Sequence, residues 1–409
     1  MTFIIYLIIV CYLPILGGLI PVTSFGHGIP DLDAVRILFL MMLLFYFVEN
    51  AIRWKIKFSY TWIYIALIFA CFAMASVFWS GTPYVLRALR EVLFMILMPV
   101  LLAFIGLNLF RDKSLIKSII KHIAISAFIV SLISIIRLLI IKVAGGGGFR
   151  SAGFGALENP NALATFLVLT FPCILYAIEK EIFPWIIGII ITGTTIIGEL
   201  STISRKGAVS MVLCLLLYLL FKKKYRLFLL IGASLSIVAL ILSGISMYSS
   251  RFSETTIEDE FDRRGRLVDI GMEMFKDSPL IGLGWEGYYH NYGRYSDGLR
   301  DDRDRFDAHN IYITALTDFG IIGFIPFLLI FVYPLFYSLI VLSSNSLRYG
   351  EHTRDMAILC FSAVLPFMIN GYFSGGIVYR ESRMFLLYSI IAIFISSIKN
   401  DHLQAKSIT

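Results

Sequence analysis

Charge is what this sequence has least of. Only 15% of its 409 residues are Asp, Glu, Lys or Arg, where a soluble globular domain carries about 25%. Hydrophobic residues make up 58%, and the mean hydropathy is +0.83. A chain so poor in charge cannot cover a soluble surface. Histidine is scarcer still, with six in the whole chain. The five cysteines, Cys11, Cys71, Cys173, Cys214 and Cys360, stand singly inside apolar stretches. They offer neither a disulfide framework nor metal-ligand spacing, and each is expected to be a small buried hydrophobe. The opening MTFIIYLIIVCYLPILGGLI lacks a basic leader and a small-x-small cleavage site, so it reads as a retained helix and not a signal peptide. Gly/Ser or Pro linkers and internal repeats are absent as well.

What remains is a succession of apolar stretches, each long enough to cross about 30 Å of hydrocarbon. About twelve of them centre near 3–20, 34–51, 60–79, 88–110, 119–142, 161–178, 183–200, 207–221, 226–246, 320–343, 356–374 and 382–398. The expected fold is an all-α polytopic membrane protein with about twelve transmembrane helices. Connections after even-numbered stretches carry Arg53, Lys55 and Lys57, then Arg111, Lys113 and Lys117, then Lys222, Lys223, Lys224 and Arg226, then Arg348 and Arg354. By the positive-inside rule these face the cytoplasm, as do both termini. The net charge of +7 expresses this asymmetry, not an affinity for nucleic acid.

One connection is long. Residues 247–308 form a polar stretch on the outer face, dividing the chain into helices 1–9 (1–246), an outer half-domain (247–308), helices 10–12 (309–399) and a cytoplasmic tail (400–409). Loops of this length are usually functional or disordered. Here Leu267, Ile270, Met274 and Phe275 share one helical face, which predicts an amphipathic helix lying on the membrane surface. Pro279, Gly282, Gly284 and Gly287 follow as turn residues.

Arginines collect on this outer side against the topology rule: Arg87, Arg90, Arg150, Arg205, Arg263, Arg264, Arg266, Arg380 and Arg383. A guanidinium fork matches phosphate and carboxylate oxygens, so the set points to an anionic lipid head group. Snorkelling, or pairing with Glu91, Glu199 or Glu381, is the alternative for any single member. The D-x-D of Asp302 and Asp304 would suit a metal, but Arg300, Arg303 and Arg305 interleave it, and a solvated, self-paired charge run is the expectation. No metal ligands and no cofactor are expected. ENPNA (158–162) reads first as a cap and turn entering a helix.

Four blocks carry a resemblance: RSAGFGALENPNALA (150–164), STISRKGA (201–208), GRLVDIGMEMFKDSPLIGLG (265–284) and HNIYITALTDFGIIG (309–323). With them the sequence resembles the O-antigen ligase and polymerase superfamily, membrane glycosyltransferases of the GT-C type that use undecaprenyl-diphosphate-linked glycans. The likeness spans most of the second half. His309, Asn310 and Gly320 fit the ligase pattern His-[Asn/Ser/Gln]-x9-Gly, from which the chain departs at Gly323 and Phe324, where enteric ligases carry two threonines. Arg266 and Gly282 fit the polymerase pattern Arg-x15-Gly. Its counterpart Arg-x10-Gly fails, because Asn161 stands in the glycine position.

The resemblance implies that Arg205 and Arg266 neutralise the departing diphosphate and that His309 is the base for the acceptor hydroxyl. Arg150, Arg264, Arg87, Arg90, Asn310 and Asn161 are the expected substrate-binding residues. Cleavage at the anomeric carbon places negative charge on the diphosphate, which preorganised guanidiniums suit, and an imidazole suits the proton. The alternative for His309 is a helix-capping role, with Asn310 or Asp307 supplying the cap. The expected partners are the lipid-linked donor, a glycan or lipid A-core acceptor, membrane lipids and a chain-length-regulating membrane protein, at the periplasmic face of a bacterial inner membrane. Polymerase is favoured over ligase on the departure after Gly320. A transporter is disfavoured by the lack of repeats and of ionisable groups at helix centres, and a scaffold would not need the outward arginines together with the histidine.

Overall fold

The computed structural model describes residues 1–12, 34–51, 60–143, 157, 159–226, 254–296, 308–344, 348–374 and 381–408. In chain order these form α1 (Thr2–Leu7), prolonged by a π-helical turn Ile8–Tyr12, then α2 (Ala34–Ala51) and α3 (Thr61–Ser76), which ends in a 3₁₀ turn Val77–Trp79. Next, α4 (Val85–Val92) passes through a π-helical turn Leu93–Leu97 into α5 (Met98–Leu109), followed by α6 (Lys113–Val143), α7 (Pro160–Glu179), α8 (Trp185–Ser201) and α9 (Arg205–Phe221). The half-domain supplies α10 (Glu254–Asp277) and α11 (Gly287–Tyr295), and the chain closes with α12 (Ile311–Ser343), α13 (Glu351–Tyr372) and α14 (Glu381–Ile408).

Among the described residues there is no strand, and seven helices are long and apolar enough to cross a membrane: Thr61–Trp79, Val85–Leu109, Lys113–Ile141, Pro160–Glu179, Ile311–Ser343, Glu351–Tyr372 and Arg383–Asp401. The protein is an all-α polytopic membrane protein, the architecture in which every backbone amide finds its partner inside its own segment. Within the described residues, the apolar stretches read from the sequence coincide with helices. The stretch 226–246 lies almost wholly outside them.

Helices α7, α13 and α14 form the interior: most side chains of α7 and α13, and those of α14 from 383 to 397, are buried. Helix α8 is peripheral, with Trp185, Ile186, Ile189 and Ile197 exposed, as suits a lipid-facing stripe. With lipid no less apolar than leucine, helix association depends on close packing of small residues. Thus a methyl group on Gly198 would come within 2.6 Å of the Ser131 side chain of α6, and one on Gly323 of α12 within 2.5 Å of Phe72 of α3. Four cysteines are buried as expected, whereas Cys71 is exposed on α3, facing where lipid would lie.

The two ends of the bundle differ chemically. At one end, Lys222 reaches Glu179 (2.6 Å) and Asp355 (2.5 Å), and Lys180 reaches Asp355 and Glu351 (both 2.7 Å). Tyr218 donates to Glu179 at 2.8 Å. This network joins the last turns of α7 and α9 to the first turn of α13. At the other end, the Ser204 hydroxyl donates to the Asn161 side chain at 3.2 Å, and the Tyr312 hydroxyl to the Met368 carbonyl at 2.9 Å. Helices α7, α9 and α12 therefore begin where α13 ends, the alternation of direction that the loop charges require.

The half-domain departs from expectation in one respect. Leu267, Ile270 and Met274 do form one face of α10, but they are buried with Tyr288, Tyr292 and Ala308. The face assigned to the membrane surface instead packs on α11 and the start of α12.

Candidate functional site

The site begins at the first turn of α12. Asn310 is its N-cap: its side-chain oxygen accepts from the amides of Tyr312 (3.0 Å) and Ile313 (3.3 Å). His309, one residue earlier, has φ of 49°, a left-handed conformation uncommon outside glycine. A single side chain brackets it. The Ala308 amide donates to the Thr314 hydroxyl (3.3 Å), and that hydroxyl donates to the Asn310 carbonyl (3.1 Å). Both chain neighbours of His309 are thus tied to Thr314, and both are buried while His309 is half-buried. Strain of this kind persists only where surrounding structure holds it. The cap belongs to Asn310, so capping does not account for His309.

Ten residues further on, α12 is broken. Gly320 has φ 58° and ψ −170°, and the helical bonds from Ile321 to Thr317 and from Ile322 to Asp318 are replaced. The Thr317 and Asp318 carbonyls accept from Leu283 and Gly284 (2.9 and 2.8 Å), and the Ile321 and Ile322 amides donate to the carbonyls of Pro279 and Leu280 (2.9 and 3.0 Å). The DSPLIGLG loop is spliced into the helix, so the two carbonyls and two amides freed at the break find partners. A methyl group on Gly320 would fall 2.5 Å from the Gly282 nitrogen, and one on Gly282 would collide with the Asp318 carbonyl oxygen. The two glycines of the ligase and polymerase patterns thus meet. Asp318, buried at the break, accepts from the Tyr288 amide at 2.9 Å and fixes the start of α11.

Helix α10 runs beside the first turns of α12: Gly271 packs on Ile313, and the Thr317 hydroxyl donates to the Gly271 carbonyl at 3.0 Å. Arg266, exposed and five residues before Gly271, therefore lies level with the start of α12, at about 1.5 Å per residue. Across the bundle, Ser210 of α9 meets the Pro366 carbonyl of α13 at 3.5 Å, while Ile311 packs on Gly371 at the end of α13. Arg205, in the first turn of α9, is thereby level with the last turn of α13 and the first of α12. Asn161, whose side chain receives the Ser204 hydroxyl, joins the same end.

The other expected residues are placed less uniformly. Arg264 is half-buried on α10. Arg87 forms an i,i+4 pair with Glu91 at 2.9 Å and is mostly exposed, which fits the acidic-partner alternative. Arg90 is half-buried with Nε enclosed. Arg150 and the Asp302/Asp304 run lie outside the described residues. Among the described residues, Glu199 makes no ion pair with an arginine. Its carboxylate is buried against Gly207, and neither oxygen has a hydrogen-bond partner among the described residues. Glu286, ahead of α11, lies within electrostatic reach of Arg87 and Glu91, and burial pushes its carboxyl above the usual range, with Glu91 adding to the rise and Arg87 opposing it.

Three residues at this end escape sequence reasoning. Thr314 gives only a weak signal, as a hydroxyl four residues after a helix cap. Asp318 gives none beyond being an acid in an apolar run. Asn370, in the last turn of α13, is 1% exposed with no hydrogen-bond partner for its side-chain amide among the described residues, and nothing local in the sequence marks it.

The fold and site define a polytopic membrane protein with a half-domain between α9 and α12 spliced by its backbone into one spanning helix, where arginines and a constrained histidine share one end. Residues 189–328 match the family model described as O-antigen ligase, which supports the O-antigen ligase/polymerase superfamily. The match runs from α8 into α12 and contains Arg205, Arg264, Arg266, Gly282, His309, Asn310 and Gly320, whereas Arg87, Arg90, Arg150 and Asn161 precede it. No curated protein matches the chain.

Proposed function

We propose that the protein is a glycosyltransferase that moves a lipid-linked glycan from undecaprenyl diphosphate to an acceptor hydroxyl at the periplasmic face of the inner membrane, in surface-polysaccharide assembly. The observation that carries this reading is His309, held in a left-handed conformation by Thr314 at the same end of the bundle as Arg205 and Arg266. In the reaction the acceptor O–H gives its proton to the His309 imidazole, and its oxygen attacks the anomeric carbon. The bond from that carbon to the diphosphate breaks, and the diphosphate leaves with the electron pair. Arg205 and Arg266 receive the charge that develops on it, with Arg150 and Arg264 as further contacts for the head group. Such fixed donors, aimed at the charge of the transition state, contribute several kcal/mol. Asn161 and Asn370 stand near as polar groups for the glycan.

Polymerisation onto another glycan is favoured over ligation to lipid A-core, because Gly323 and Phe324 depart from the ligase pattern. Since arginines take the cation's part, transfer is expected to continue in excess chelator, and restoration by a divalent ion after its loss would overturn that part of the reading.

The deciding experiment is His309→Asn. Asparagine tolerates the left-handed region better than most residues, so the variant should fold and melt like the wild type. Turnover of a lipid-linked donor should nevertheless fall by roughly 10²–10⁴-fold, the usual contribution of a general base. Wild-type turnover should also fall on the acid side as the imidazole takes up a proton. Near-normal transfer by His309→Asn would remove the histidine from the chemistry.

A further inference from the structure

At the end of the bundle opposite the candidate site, α9, α12 and α13 enclose a cavity of about 410 Å³ lined by Leu220, Phe221, Lys222, Lys223, Tyr225, Leu342, Glu351, Arg354, Asp355 and Ile358. Its walls are of two kinds. Leu220, Phe221, Leu342 and Ile358 form an apolar side continuous with the helix surfaces, and Leu220 is 41% exposed. The cations form the other side, and they are not equivalent. Lys222 is neutralised by Glu179 and Asp355. Lys223, the residue after the last turn of α9, has φ of 57° and is exposed, and among the described residues it makes no ion pair. Arg354 gives one guanidinium nitrogen to the Ser344 carbonyl, while its Nε is buried and has no hydrogen-bond partner among the described residues.

We infer that this cavity binds a membrane phospholipid, whose phosphate is held by Lys223 and Arg354 while an acyl chain lies along Leu220, Phe221, Leu342 and Ile358. Two cationic groups beside an apolar groove match the two chemistries of a phospholipid, and neither a soluble anion nor a hydrocarbon chain alone uses both. The depth is right as well. The cavity lies at the final turn of α9 and the first turn of α13, where the positive-inside pattern puts the cytoplasmic surface and its anionic leaflet. Glu351, exposed at the rim, disfavours heads with a second negative charge and tolerates an ammonium or hydroxyl group beyond the phosphate. The site sits between helices that carry the other end's residues, Arg205 on α9 and His309 at the start of α12, but it is independent of their chemistry.

The test uses full-length protein in detergent, stripped of lipid and followed by native mass spectrometry and thermal melting. The probes are phosphatidylglycerol, a diacylglycerol without phosphate, and inorganic phosphate. Retained phosphatidylglycerol and a raised melting temperature, not reproduced by the other two, are expected. Lys223→Gly removes the charge and suits the positive φ, so it should fold, and it should weaken lipid retention about fivefold, the effect of one charge near a membrane surface. Arg354→Gln should weaken it at least as much. Equal retention by wild type and Lys223→Gly would overturn the inference. So would stabilisation by inorganic phosphate equal to that by phosphatidylglycerol, which would define a free-anion site, or equal binding of diacylglycerol, which would leave the cations without a role.

Discussion

Asn310 and His309 are adjacent and do unlike things. The Asn310 side chain takes two amides at the head of α12, so Asn310→Ala should lower stability by about 1 kcal/mol, whereas Asn310→Asp, an equally good cap, should leave the melting temperature nearly unchanged. Glu286 is a second residue whose effect has a sign. Its carboxyl is raised above the ordinary range, so the folded state favours the protonated form. The stability that this contributes is complete below the ordinary carboxylate pKa and is lost as the pH rises through the folded value. Glu286→Gln should therefore raise the melting temperature at neutral pH and have little effect in acid, when melts of the two proteins are compared across that range. The half-buried position of Glu286 beside Arg87 limits the size of the effect. The cap is legible in the sequence as a choice between Asn310 and Asp307, whereas the shift at Glu286 is not, because Glu286 acquires its neighbours Arg87 and Glu91 only when the chain before α11 docks near α4.

The break in α12 shows how an element can be legible in outline and illegible in cause. Apolar length and loop charge suffice to mark the spanning stretches, because in hydrocarbon only a helix satisfies its own backbone. They also place the start of the spanning part of α12 near residue 320, and the helix does bend there. The spacings that end at Gly282 and Gly320 are visible too, but the reason for both glycines is a contact between residues 38 positions apart, which no local pattern encodes. The amphipathic face of α10 misleads for the same reason: periodicity shows that a face is apolar but not what covers it. The splice makes a sharp prediction. Gly320→Ala and Gly282→Ala each drive a methyl group into backbone at positive φ, a strain that neighbouring side chains cannot relieve. Both variants should accumulate poorly and melt well below the wild type. Gly293→Ala is the control, for it lies in α11 with nothing within 4 Å of where its methyl group would sit, and Ala is favoured over Gly in a helix by about 1 kcal/mol. Comparable loss in Gly293→Ala and Gly320→Ala would mean that the splice is not what holds the half-domain.

At the scale of the molecule, the bundle has two chemically different ends, and everything proposed depends on which one faces out. The end with Lys180, Lys222, Glu179, Glu351 and Asp355 is nearly self-neutralised. On the positive-inside reading, the orientation signal rests on cations outside the network, Lys223 and Lys224 among them, which are exposed. The opposite end keeps Arg205, Arg266 and His309 together and bears the half-domain. If that end faces the periplasm, a cysteine at exposed Lys276 on α10 will react with a membrane-impermeant maleimide in intact spheroplasts. One at exposed Lys224 will react only after the membrane is opened. The background should be Cys71→Ser, since Cys71 is the exposed native thiol among the five. Labelling of Lys224→Cys in intact cells, with Lys276→Cys protected, would place the arginines and His309 in the cytoplasm. A donor presented at the outer leaflet could not then reach them, and the two ends would have to exchange their proposed roles.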